Sequence, residues 1–230
     1  MNTGEDQVAP LCLMDRDGAV ATVTLNRPDA RNALNLPLLR QLVRALGDAR
    51  AQDADVLVLR AAGPAFCAGA DVRADDGTAI GEPGLRRRLI EQACDLVEAF
   101  PASIAAVQGP AIGGGWALAA AASVTLAAPE AVFRFPELRL GFLPPAATVR
   151  RLRAAVGPAT AFRLLAADER FSADELARLG LAEAVATADL DTRARRLADR
   201  FAAAPADLLH HLRAALTPQF QGDSRTVPTP

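Results

Sequence analysis

The chain has 230 residues, 51% of them apolar and 23% charged, enough for one sizeable folded core. A formal net charge of −2 gives no reason to expect a nucleic-acid or membrane-surface partner. All 25 basic residues are arginines and tyrosine is absent, which excludes a Schiff-base lysine, a phosphate-loop lysine and a phenolic acid or base.

In chain order, Leu11 to Met14 and Val20 to Leu25 read as a hairpin turning at 15–18, with apolar residues alternating along its second strand. Apolar residues at helical spacing, Leu38, Leu39, Leu42, Val43 and Leu46, predict a helix over 36–50. Val56 to Leu59 is a short apolar strand, followed by a long loop that is rich in glycine as far as Gly84. A helix is expected over 85–100, ending before Pro101, then a strand at 104–107 and a buried helix over 115–122. Strands are expected at 124–126 and 132–135, and helices at 146–156, 158–167, 172–179, 189–203 and 205–216. This order gives an α/β core over 10–188 and a helical region over 189–216, with tails at 1–9 and 217–230. The second tail is proline-rich and expected to fray.

Cys12, Cys67 and Cys94 are odd in number and widely spaced, so they form neither a disulfide framework nor a C-x-x-C pair. His210 and His211 are adjacent, which argues against a metal site. No signal-peptide pattern opens the chain, and a cytoplasmic setting is the expectation. Residues 102–129 carry no charge and are long enough for a bilayer, but Gln108, Gly109, Pro110 and the triple glycine 113–115 interrupt them. A buried strand, a glycine turn and a buried helix fit better.

Three segments can carry chemistry. In Phe66-Cys67-Ala68-Gly69-Ala70-Asp71, small residues let a ligand approach the backbone, and freed N–H groups can meet developing negative charge. An ordinary surface loop is the competing reading. In Gly113-Gly114-Gly115-Trp116-Ala117, the opening amides of a helix offer unpaired donors at its positive end. Tight backbone packing competes there. In Pro136-Glu137-Leu138-Arg139-Leu140-Gly141, Glu137 is a lone carboxylate among apolar residues. A dry pocket would raise its pKa toward neutrality and suit a general acid or base; a surface pairing with Arg134 or Arg139 is the alternative.

Together with Asn26-Arg27-Pro28-Asp29-Ala30-Arg31-Asn32-Ala33-Leu34, these segments resemble the crotonase, or enoyl-CoA hydratase/isomerase, superfamily in motif and order over about residues 10–216. The resemblance implies an α/β crotonase-like spiral core of ββα turns with a shortened helical C-terminal region. It implies trimers or dimers of trimers. It assigns the oxyanion amides to Ala70 and Gly114, with Gly113 beside them, and the acid–base carboxyl to Glu137. The backbone around Ala68 would meet the adenine of coenzyme A and the segment 31–34 would line its channel, so that Arg31, Ala33, Leu34, Ala68, Asp71 and Gly113 are the candidates for binding it. The substrate would be an acyl thioester of coenzyme A or of the pantetheine arm of an acyl-carrier protein, with no permanently bound cofactor and no metal.

Hydratases of this superfamily carry a first glutamate two residues after the triple glycine, where this chain has Ala117. A single glutamate resembles the Δ3,Δ2-enoyl-CoA isomerases, and also the dehydratases of polyketide β-branching. Related decarboxylases use a late-helix histidine, which His211 could echo; a solvated helix face is the competing reading. A catalytically inactive homologue that acts as a binding partner is the alternative from another class. Without lysine, only arginines remain to meet the 3′-phosphate of coenzyme A, with Arg27, Arg31 and Arg86-Arg87-Arg88 as candidates.

Overall fold

The computed structural model describes residues 10–71 and 84–216; the expected tails and most of the loop ahead of Gly84 lie outside them. The chain runs β1 (Cys12–Asp17), β2 (Val20–Leu25), α1 (Leu36–Ala51), β3 (Val56–Ala61), α2 (Leu85–Glu98), β4 (Ala102–Val107), β5 (Ala111–Ile112) and α3 (Gly114–Ala121). It continues through β6 (Val124–Ala127), β7 (Val132–Arg134), α4 (Ala146–Ala166), β8 (Phe171–Ser172), α5 (Ala173–Arg178), β9 (Glu183–Ala184), α6 (Leu190–Ala202) and α7 (Ala206–Leu216).

The main sheet has the order β1-β2-β3-β4-β6-β9. Only the β1–β2 hairpin is antiparallel; the other neighbours pair in parallel, as helical crossovers between strands require. On one face, α1 buries Leu38, Leu39, Leu42 and Leu46 completely, each worth about 2 kcal/mol of transfer free energy. The apolar spacing read from the sequence is that buried stripe. A second sheet, β5-β7-β8, stands apart from the first and holds the glycine turn against Glu137's segment.

The two helices expected at 146–156 and 158–167 are the two halves of α4, broken at Gly157 (φ 78°) ahead of Pro158. Other boundaries differ from the sequence reading. The helix expected from 172 begins at Ala173, because Phe171 and Ser172 pair with β7 and Ser172 becomes the cap. Its hydroxyl accepts from the Glu175 N–H while Glu175 bonds back to the Ser172 N–H, a reciprocal cap. Strands β5, β8 and β9 have two residues each and no periodicity to read. Finally, α6 buries Leu190, Ala194 and Ala198 against Val20, Val56, Val58 and Ile104 on the sheet's other face.

Candidate active site

Residues 66–71 lie as a strip between two others. On one side Leu34 N–H donates to Gly69 O (2.8 Å) and Asp71 N–H to Leu34 O (3.2 Å). On the other, Cys67 N–H donates to Pro110 O (3.0 Å) and Ile112 N–H to Cys67 O (2.9 Å). Three of the four sequence motifs are thus adjacent, and Cys67 of the strip lies against Gly115 at the start of α3. Among the described residues, neither the Ala70 nor the Gly114 N–H donates a hydrogen bond. For Gly114 the reason is geometric: as the first residue of α3 it has no helical acceptor.

The glycines make this approach possible. A Cβ on Gly115 would stand 2.6 Å from both Cβ and O of Cys67, so any larger residue would push α3 off the strip. Gly113 has φ 52° and donates to Arg134 O (2.8 Å), and its missing side chain leaves room for Glu137, whose Oε1 would lie 2.3 Å from a Cβ there. Every residue of α3 except Ala120 is buried, and the carbonyls of Ala121 and Ala122 at its far end accept from Arg151; Arg213 also donates to Ala121 O. Cations at that end and unpaired amides at the other follow the helix dipole.

Side chains then fix the strip. Asn32 is fully buried at φ 54°: its Oδ1 accepts from Arg27 N–H (2.8 Å), and its Nδ2 donates to the carbonyls of Ala62 and Ala65 (2.9 Å each). Gln108 Nε2 donates to the carbonyls of Ala61, Gly63 and Ala65. The sequence reading placed neither amide; the signal available was a buried-motif asparagine and a glutamine heading the second loop. Asp71, expected near coenzyme A, turns its carboxylate to Arg27 (2.6 Å), whose Nη1 also donates to Ala33 O (3.0 Å). Arg27, a candidate phosphate ligand in the sequence, is therefore engaged inside the fold. Arg31 is exposed at φ 52° and its carbonyl accepts from Ala68 N–H (2.9 Å), so Arg31, Ala33, Leu34 and Ala68 form one continuous edge.

Glu137 follows β7 and opens the turn Leu138–Leu140. Its Oε2 is buried and, among the described residues, accepts no hydrogen bond. Burial pushes its pKa from about 4.5 up to about 7; a hydrogen bond from its own backbone opposes this, and the negative charge of Asp168 adds to it. Beneath it, Phe135 stacks on Trp116 of α3 at 4.4 Å, locking the segment to the helix that carries Gly114. Ala117 donates its N–H to Gly113 O (2.9 Å) one turn into α3 and is completely buried. An unpaired amide on each of two apposed loops, with a half-buried, nearly neutral-pKa carboxyl over the glycine between them, can stabilise an oxyanion and move a proton.

Residues 15–227 match the family model for enoyl-CoA hydratase/isomerase. The chain belongs to that family. It is 38% identical over 173 residues to "Probable enoyl-CoA hydratase echA6" of Mycobacterium tuberculosis, covering 74% of this chain and 68% of that one. An enoyl-CoA hydratase/carnithine racemase from Magnetospirillum magneticum superposes with a TM-score of 0.81 at 33% identity, covering 90% of this chain and 79% of the other. A monofunctional enoyl CoA isomerase from M. smegmatis superposes at 0.76 and 28% identity, covering 90% and 92%. The expected crotonase fold is the observed one.

In this crotonase the remaining candidate groups stand elsewhere. His210 and His211 are exposed on α7. Burial pushes the Cys12 and Cys67 thiols up to about 12 and raises that of Cys94 as well, so all three stay protonated at neutral pH. Among the described residues no three His, Cys, Asp or Glu side chains gather as metal ligands, and no helix is long and apolar enough to cross a membrane. A cavity of about 480 Å³ between α4 and α7 shares no lining residue with the two amide loops or with Glu137.

Proposed function

We propose that this crotonase is an enoyl-thioester isomerase working through one carboxyl group. The thioester carbonyl accepts hydrogen bonds from the N–H groups of Ala70 and Gly114. The Glu137 carboxylate takes a proton from C2 of a 3-enoyl thioester. The C–H electrons become a dienolate whose oxygen rests on those two amides. Protonated Glu137 then returns its proton to C4, the double bond settles between C2 and C3, and the carboxylate is restored. No water is consumed and no second base is required.

The observation that carries this reading is the pairing of Glu137 with Ala117. One carboxyl faces Gly113 with a free, buried oxygen, while the position one turn into α3 is an alanine sealed from solvent. Hydration by the two-carboxylate route needs a group to activate water as well as one to manage the α-proton. The similarity to an enoyl CoA isomerase over 92% of that chain supports the same choice. Hydration of 2-enoyl thioesters is the second reading, favoured by the name of the mycobacterial relative. The carrier is coenzyme A or the pantetheine arm of a carrier protein.

The test supplies a 3-enoyl-CoA and a 2-enoyl-CoA separately and separates the products chromatographically. Conversion of the first to the conjugated 2-enoyl ester, with little 3-hydroxyacyl product from the second, is expected. Faster formation of the 3-hydroxyacyl ester would overturn isomerisation in favour of hydration, and no turnover of either ester would favour a binding role.

A further inference from the structure

Three charged side chains gather around the segment that carries Glu137, and the negative charge of one of them, Asp168, acts on its carboxyl. Arg134 on β7 and Arg139 on the turn Leu138–Leu140 come from its own segment, and Asp168 comes from the connection between α4 and β8. The α3 side presents Gly113 and no charge. Glu169, next to Asp168, is taken up by Arg163 (2.7 Å).

A guanidinium beside a carboxyl holds it ionised and makes it a poor base. Glu137 has an arginine three residues before it and another two residues after it, yet neither donates to it. Both are turned to Asp168. Arg134 grips that carboxylate with Nε on Oδ1 (2.6 Å) and Nη2 on Oδ2 (2.7 Å), and Arg139 Nε joins on Oδ2 (2.8 Å). Asp168 reaches both from a left-handed backbone, φ 55°, a conformation that aspartate and asparagine tolerate better than most residues. The Arg134 backbone carbonyl meanwhile accepts from Gly113 N–H, so the same residue anchors the glycine turn. Fork geometry of this kind is strong and directional.

We propose that Asp168 is a positioning residue for the acid–base chemistry at this site: it gathers the guanidinium groups of Arg134 and Arg139 and keeps them off the Glu137 carboxyl, leaving that group free to take up and release a proton. The inference rests on the reading of Glu137 as the proton carrier. Without Asp168, the mostly exposed Arg139 side chain has no carboxylate to hold it and can swing onto Glu137. The carboxyl then stays ionised to lower pH and abstracts the proton less readily.

The experiment is the pH profile of kcat for the isomerisation in the parent, Asp168→Asn and Arg139→Gln. The ionised carboxyl is the active form, so the parent rises with pH through a limb near 7. Asp168→Asn keeps the shape and the tolerance of positive φ, and should move the limb down by about one unit. Arg139→Gln leaves Asp168 less neutralised and should move it up. Opposite shifts support the proposal; a limb that stays in place, or moves the same way in both variants, overturns it. Should Asp168→Asn fail to fold, Arg139→Gln alone decides, because Arg139 is largely exposed and an upward shift or none can still be read. Glu137→Gln is measured beside them. Parental turnover in that variant defeats the reading of Glu137 itself, whereas lost turnover with unmoved limbs defeats only the role of Asp168.

Discussion

The amide half of the site, residues 66–71 and 113–115, is tied to its surroundings from both sides, whereas the turn that carries Glu137 is tied mainly to itself. Leu34, Pro110, Arg31 and Ile112 bond the strip along its length, and Asn32 and Gln108 reach the carbonyls just ahead of it. In the turn, Leu140 and Phe142 N–H groups return to Glu137 O (3.0 and 2.8 Å), and Leu138, Leu140, Phe142 and Leu143 stay exposed. The difference suits the two tasks that the proposed isomerisation gives these halves. Backbone amides stabilise an oxyanion only if they are fixed before it forms. A proton carrier needs an environment that sets its pKa, and must reach two carbons rather than one point.

The sharpest way to break the comparison is to disable the proton half alone. Glu137→Gln should lower turnover by about a hundredfold or more while leaving thioester binding intact, measured as kcat against KM. Turnover within a few-fold of the parent would remove Glu137 from the chemistry. The same variant tests the cost of the site. The native pKa of about 7 lies above the ordinary value of 4.5, so the folded state holds a proton that the unfolded state has lost between those pH values. Stability contributed by the neutral carboxyl is complete below about 4.5 and is lost as pH rises through about 7. Glu137→Gln should therefore be the more stable protein by about 3 kcal/mol well above pH 7, and equal to the parent well below 4.5. Denaturant titrations at the two extremes read this directly.

The amide half is tested by Gly114→Pro, which deletes one donor. Proline suits the first position of a helix, and the space a Cβ would need is bounded only by the terminal methyls of Leu34 and Ile90, at 3.0 and 3.1 Å. The expected loss is on the order of 3 kcal/mol in the transition state, about a hundredfold in kcat. A folded variant with parental kcat would show that the glycine serves packing only.

The contrast also separates what the sequence revealed from what it hid. Ala70, Gly114 and Glu137 stand out because glycine-rich turns and a lone carboxylate are local patterns. The main strands and α1 were legible because period two and period 3.6 survive burial. Asn32 and Gln108 were not, because their value lies in carbonyls about thirty and more residues away, at Ala62, Ala65 and Ala61. Asp168 was silent for the same reason: nothing near it in sequence shows that Arg134 and Arg139 converge on it. The two-residue strands β5, β8 and β9 escaped because no period fits in two residues. A smaller effect than either site variant tests this hidden layer. Asn32→Ala leaves Ala62 O and Arg27 N–H without their partner and Ala65 O with Gln108 alone, and should cost about 2 kcal/mol or more of folding stability. An unchanged denaturation midpoint would show that the amide does not hold the strip.

The smallest expected effect concerns what lies at the outer edge of the amide half. A phosphate clamp on coenzyme A would need a cation directed outward, and the sequence offers no lysine. Arg27 turns inward to Asp71 at 2.6 Å, and Arg87 leans on Glu91 at 3.1 Å. Arg31 remains exposed on the edge shared with Ala68, but a guanidinium on a solvated edge is screened and contributes little. On the proposed function, the pantetheine arm should then carry most of the docking, and the nucleotide should add little. The measurement is kcat/KM for one acyl group on coenzyme A, on dephospho-coenzyme A and on a carrier protein. The first two should agree within tenfold, a difference below about 1.4 kcal/mol. A larger advantage for coenzyme A would reveal a phosphate site, and Arg31→Ala would then show whether this edge supplies it. Parity of the two nucleotides with a faster carrier-protein ester would place recognition on a protein surface.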